Sequence, residues 1–182
     1  MRKLLILAAL ACVGASALAQ QVTPAIIPLY PDADPSDSEG IVIPTGSPLN
    51  LVSFTRDEIK VKFNGRFELS GTYEIENSGE DTFVTIWPDQ RSKDSLPYWH
   101  DRGGPDEIYI SNGSEFARAV ASAEELAKLT AGRQPLIRGQ VTIIADQYET
   151  GIECDAANFS ARFVSVVKNV EMAGSPPEEY GC

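Results

Sequence analysis

The chain is poor in the residues that carry most enzyme and metal chemistry. Its 182 residues include one histidine, His100, and three cysteines, Cys12, Cys154 and Cys182. A single histidine excludes a multi-histidine metal site, and no Cys-x-x-Cys pair marks a zinc ribbon or a redox centre. No Gly-x-Ser-x-Gly turn presents a nucleophile. Positive charge is scarce too: 15 Lys and Arg stand against 26 Asp and Glu, a formal net charge of -11. Nucleic acid and anionic membranes attract clustered Lys and Arg, which release counterions on binding, so neither is an expected partner. No apolar run approaches the ~20 residues that span a bilayer, so no stable membrane anchor is expected.

What is present begins at the N-terminus. Arg2 and Lys3 precede an apolar run from Leu4 to Val13, and Ala17-Leu18-Ala19 supplies small residues for a cleavage site. This pattern predicts a secretory signal peptide over residues 1–19, cut after Ala19, and a periplasmic or secreted protein. Lipidation at Cys12 is not expected, because Ala9-Leu10-Ala11 departs from the Leu-Ala-Gly of a lipobox. Cleavage removes two cations and takes the net charge to -13. It also removes Cys12 and leaves Cys154 and Cys182 in an oxidising compartment, where a disulfide is expected. Closing a loop of about 28 residues contributes ~3–4 kcal/mol in the chain-entropy picture.

Residues 20–56 hold six of the twelve prolines and the carboxylates Asp32, Asp34, Asp37 and Glu39. They read as a largely disordered acidic leader, with Ile26-Ile27 and Ile41-Val42-Ile43 able to dock on a sheet only as edge pieces. The acidic patch does not follow the EF-hand spacing, since Pro35 and Ser36 break the run and no closing Glu follows. No metal or other cofactor is expected. Residues 57–175 read as one domain, and 176–182 as a tail delivered to the disulfide.

Within the domain the apolar period is two. Ile59, Val61 and Phe63 alternate with lysines, Asn64-Gly65 marks a turn, and Phe67, Leu69, Tyr73 and Ile75 form the clearest strand, with Gly71 in its apolar phase. Thr82 to Trp87 and Asp106 to Ile110 follow as strands, separated by a long loop from Pro88 to Pro105. The period then changes to three and four from Phe116 to Leu129, a helix with a capping-box restart at Ser122. Val141 to Ala145 and Phe159 to Val167 are the last strands, joined by an acidic segment, 146–158.

Three strands, a helix and two strands, with Gly71 inside the long first strand and Gly139 opening the fourth, resemble the OB-fold superfamily, in particular its small secreted bacterial members. The resemblance covers about Arg66 to Val170. It implies a mainly β chain built on a five-stranded Greek-key barrel with one helix between strands three and four. It also implies a binding face on strands two and three, flanked by the loops 77–81 and 146–158. Both rims are acidic, which disfavours the basic groove that single-stranded nucleic acid needs.

Candidate ligand-binding residues are therefore Trp87, Tyr98, Trp99 and His100 near that face and Asp146 and Glu149 on the rim. Aromatics supply stacking area for a sugar ring or an anchor for a protein partner. The expected function is a non-enzymatic binding protein for a protein, a glycan or a cationic ligand. The alternatives are an envelope hydrolase centred on His100 and Asp101, and a structural or stress-related envelope protein that acts through its contacts. No catalytic residue is assigned.

Overall fold

The computed structural model describes residues 24–29, 40–78 and 81–171. The signal-peptide reading of 1–19, the acidic-patch carboxylates, Glu80 and the tail with Cys182 fall outside the described residues. The elements in chain order are β1 (Ala25–Pro28), β2 (Gly40–Ile43), β3 (Asn50–Thr55), β4 (Lys60–Asn64), β5 (Phe67–Ser78) and β6 (Asp81–Pro88). After them come α1 (Gln90–Ser95), β7 (Tyr98–Trp99), β8 (Ile108–Ile110), α2 (Gly113–Val120), α3 (Ala123–Thr130), β9 (Ile137–Glu153) and β10 (Ala156–Glu171).

Five strands close a barrel. β5 pairs with β6 and with β9, β6 with β8, β8 with β10, and β10 with β9; only β8 and β10 run parallel. The protein is thus mainly β, with an OB-like closed barrel whose helical segment lies between its third and fourth strands. Alternation builds this core: Leu69, Tyr73 and Ile75 of β5 and Val84 and Ile86 of β6 are buried, while the residues between them face out. Phe116 of α2 plugs one end, edge-on to Tyr73 and Phe163 at 5.3 and 5.5 Å between ring centres. The helical segment breaks at Ser122, whose side chain and Glu125 form a reciprocal capping box, so two short helices replace one.

Glycine is obligatory where β5 crosses the end of β6. A Cβ on Gly71 would sit 2.1 Å from the Trp87 carbonyl oxygen, so a side chain there would force the two backbones apart.

The remaining strands form an annex on the far end of the β9–β10 hairpin. β4 pairs with β9 through Lys60–Gly151, Val61–Thr150 and Lys62–Glu149, and β3 adds outside β4. A second sheet, β1-β2-β7, packs against this extension. Its anchor is Trp99, fully buried, which donates from Nε1 to Thr150 Oγ1 at 2.9 Å and meets Phe54 edge-on.

The annex corrects three expectations. The disordered leader is, over its described residues 24–29 and 40–56, largely strand, because Leu29, Ile41, Val42 and Leu49 bury their side chains. Pro24 and Pro28 are accommodated because β1 is an edge strand of its sheet. The long loop 88–105 contains α1, whose N-cap Asp89 accepts from Ser92 N at 2.8 Å, and β7, which pairs with β2. The acidic segment 146–158 is strand apart from the two-residue turn Cys154-Asp155, where both residues have left-handed backbone (φ 49° and 65°). A bulge at Gln147 (φ 50°) shifts the phase of β9, so that Tyr148 and Thr150 point inward and Glu149 between them points out.

Candidate binding face

On β6 the outward phase is Phe83, Thr85 and Trp87, opposite the buried Val84 and Ile86. Thr85 pairs with Tyr109 of β8, so Tyr109 stands beside the middle of this row. Phe83, Trp87 and Tyr109 are 51%, 38% and 45% exposed. By strand geometry Phe83 and Trp87 lie ~13 Å apart, with Tyr109 one strand spacing, ~5 Å, to the side. Three large aromatic surfaces therefore share one outer face, on the second and third barrel strands.

Carboxylates edge the face. Glu107 accepts from the Tyr109 hydroxyl at 3.0 Å, and that hydrogen bond, with partial burial, raises the phenol above its ordinary pKa. On the β5 side Glu76 pairs with Phe83, while Glu74, paired with Thr85, is neutralised by Arg138 of β9. Next to Tyr109, a trough of about 830 Å³ runs between β8 and the β9–β10 tip, past Glu58, Glu107, Ile152 and Cys154.

From Trp87 a groove of about 450 Å³ crosses the barrel's outer surface over β5, β9 and β10. Register aligns its lining: Trp87 pairs with Thr72, Thr72 with Gln140, and Gln140 with Val170. A second row runs from Ser70 to Thr142 to Lys168, with the two hydroxyls 2.8 Å apart.

The residues picked from sequence are not brought together. Trp87 lies on the face. Trp99 belongs to the core, and Tyr98 is half-buried on the opposite phase of β7, lining a separate groove of about 500 Å³ with Lys93 and Asp106. His100 is exposed, contributes its backbone N–H to Gly40, and lines none of these three grooves; Asp101 pairs with Arg102, and Ser95 donates to a backbone carbonyl.

Asp146 and Glu149 are not loop residues but strand residues. Asp146 takes two 2.9 Å hydrogen bonds from Arg162, which hold its carboxyl below the ordinary range. Glu149 meets Lys60 at 2.5 Å and Lys62 at 3.3 Å; burial pushes its pKa up, but the two lysines outweigh this and hold it down. Both acids are already paired within the fold. Cys154 is exposed at the hairpin tip and has no disulfide partner among the described residues.

Sequence reasoning missed Phe83 and Tyr109. The signal was there, because each is an aromatic in the outward phase of a strand whose inward phase is aliphatic. Among the described residues no cluster of three or more His, Cys, Asp or Glu could hold a metal, and no helix is long and apolar enough to cross a membrane. Comparison with family models, with curated proteins and with solved structures finds no match.

Proposed function

We propose that this chain is an exported, non-catalytic binding protein of OB-fold type, which takes its ligand on the outer face of β6 and β8. The observation that carries this reading is the exposed trio Phe83, Trp87 and Tyr109, standing on strands whose inner faces already fill the core. Large aromatics left in water beside one another lower the cost of desolvating a partner and give it flat surfaces to stack on. The ligand is a polypeptide, a glycan or a cation-bearing molecule and not nucleic acid, since the chain carries -11 and the face is edged by Glu76 and Glu107. The exposed, isolated His100 favours this reading over hydrolysis.

The test is retention of a partner from envelope extract on the immobilised mature chain, wild type against Phe83→Ala/Tyr109→Ala. Both side chains are about half exposed, so the double variant keeps its fold and is expected to lose the partner. Retention equal to wild type would overturn the reading.

A further inference from the structure

We infer that the groove running from Trp87 across β5 and β9 to Lys168 is a subsite for a pyranose glycan without positive charge. This rests on the binding face proposed above and names the ligand that enters it from the Trp87 end. The groove differs in chemistry from the rest of the surface. In a chain with net charge -11, its lining combines a tryptophan, three hydroxyl side chains, an amide and one ammonium with apolar Pro88, Val141 and Val170. The carboxylate at its rim, Asp89, is committed to the α1 N-cap.

Each part matches a feature of a sugar. The half-exposed indole of Trp87 offers a flat apolar surface to the C–H face of a pyranose ring. Beyond it Thr72 and then Gln140 follow at cross-strand spacing, ~5 Å per step, so hydrogen-bonding groups recur along the groove as hydroxyls recur along a glycan. The Gln140 amide supplies donors and an acceptor, and Thr72 supplies a hydroxyl; neither has a side-chain partner among the described residues, so both are available to a ligand. Ser70 and Thr142, bonded to each other, form the polar flank. Lys168 makes no ion pair among the described residues and closes the far end with positive charge, three strand spacings or ~15 Å from Trp87, so a basic polypeptide stacked on Trp87 is not favoured to extend along the groove. The groove also needs Gly71, which lets β5 fold against the end of β6 beneath it.

The chain contains two tryptophans, and Trp99 is fully buried, so ligand-dependent change in emission reports Trp87. The experiment titrates the mature chain with hexamers of β-1,4-glucose, β-1,4-N-acetylglucosamine and α-1,4-glucose, with an oligogalacturonate, and with oligolysine, alongside the envelope retention assay. At least one saccharide is expected to shift the emission saturably, with binding abolished in Trp87→Ala (read calorimetrically) and weakened about tenfold in Gln140→Ala. Saccharide binding undiminished in both variants would overturn the subsite. Oligolysine binding that depends on Gln140, with no saccharide bound, would overturn the glycan assignment. A retained partner that depends on Phe83 and Tyr109, with no saccharide bound, would also overturn it while leaving the binding face standing. Loss of both signals would overturn both.

Discussion

The barrel and the annex are two halves of one molecule held by different means. The barrel is secured by repetition: strand after strand turns an aliphatic or aromatic residue inward, and backbone pairing closes the ring without a free edge. The annex has short strands, few inward residues per strand and three edge strands, β1, β7 and β3. It depends on single anchors that reach into the β9–β10 hairpin: Trp99 to Thr150, the Tyr148 hydroxyl to the Pro97 carbonyl, and Lys60 and Lys62 to Glu149. Cooperative stability by repetition tolerates a single loss, whereas stability by anchors does not.

Removing the main anchor gives the largest expected effect. Trp99→Ala empties a fully buried site and strands the Thr150 hydroxyl's acceptor side, although Thr150 still donates to the Asn158 carbonyl at 2.8 Å. A loss of ~3–5 kcal/mol is expected from urea unfolding, near the top of the range for core truncations. Hydrogen exchange sharpens the contrast: amides of β2, β4 and β7 should lose protection before those of β5 and β6. Equal loss throughout would mean that annex and barrel form one cooperative unit and that the distinction is only geometric.

The barrel's own weak point is backbone proximity, not a side chain. Gly71→Ala places a methyl against the Trp87 carbonyl and the Pro88 Cα, both backbone and neither able to swing aside. Destabilisation of ~1–3 kcal/mol is expected, in the range seen for overpacked sites, together with altered Trp87 emission as the strands separate. An unchanged emission spectrum and midpoint would show that β5 bends by another route.

The same contrast explains what sequence could reveal. The barrel was legible because its rule is local: Leu69, Tyr73 and Ile75, or Val84 and Ile86, announce their phase within one strand. Gly71 and the Ser122 capping box were legible for the same reason. The annex was not, because the burial of Ile41, Leu49 and Trp99 depends on a hairpin tip more than fifty residues away in the case of Trp99 and Thr150. Asp146, Glu149 and Glu153 resembled a solvated loop because the bulge at Gln147 hides their alternation with Tyr148 and Thr150. The proposed binding face is half legible. Trp87 stands out at the end of a strand, whereas the stretch holding Tyr98 and Trp99 has no periodicity to show which way they face, and phase alone sets Phe83 and Tyr109 outward.

The smallest expected effect tests where the two halves meet. Asp146 and Glu149 sit on either side of the Gln147 bulge: Asp146 binds Arg162 of β10, while Glu149 binds the two lysines of β4. Arg162 lowers the first carboxyl's pKa; for the second, burial works upward and the hydrogen bonds from Lys60 and Lys62 prevail. A carboxyl depressed on folding binds fewer protons in the native state than in the unfolded one, so its stabilisation is complete above the ordinary carboxylate range and drains away as pH falls through the depressed value. Partly exposed pairs of this kind contribute up to about 1 kcal/mol each. Glu149→Gln should therefore flatten the acid dependence of exchange in β4 and leave β5 and β6 as they were, whereas Asp146→Asn should act on the β9–β10 ladder. If either substitution changes both regions equally, the bulge is not a boundary, and β9 transmits stability through it as a continuous strand.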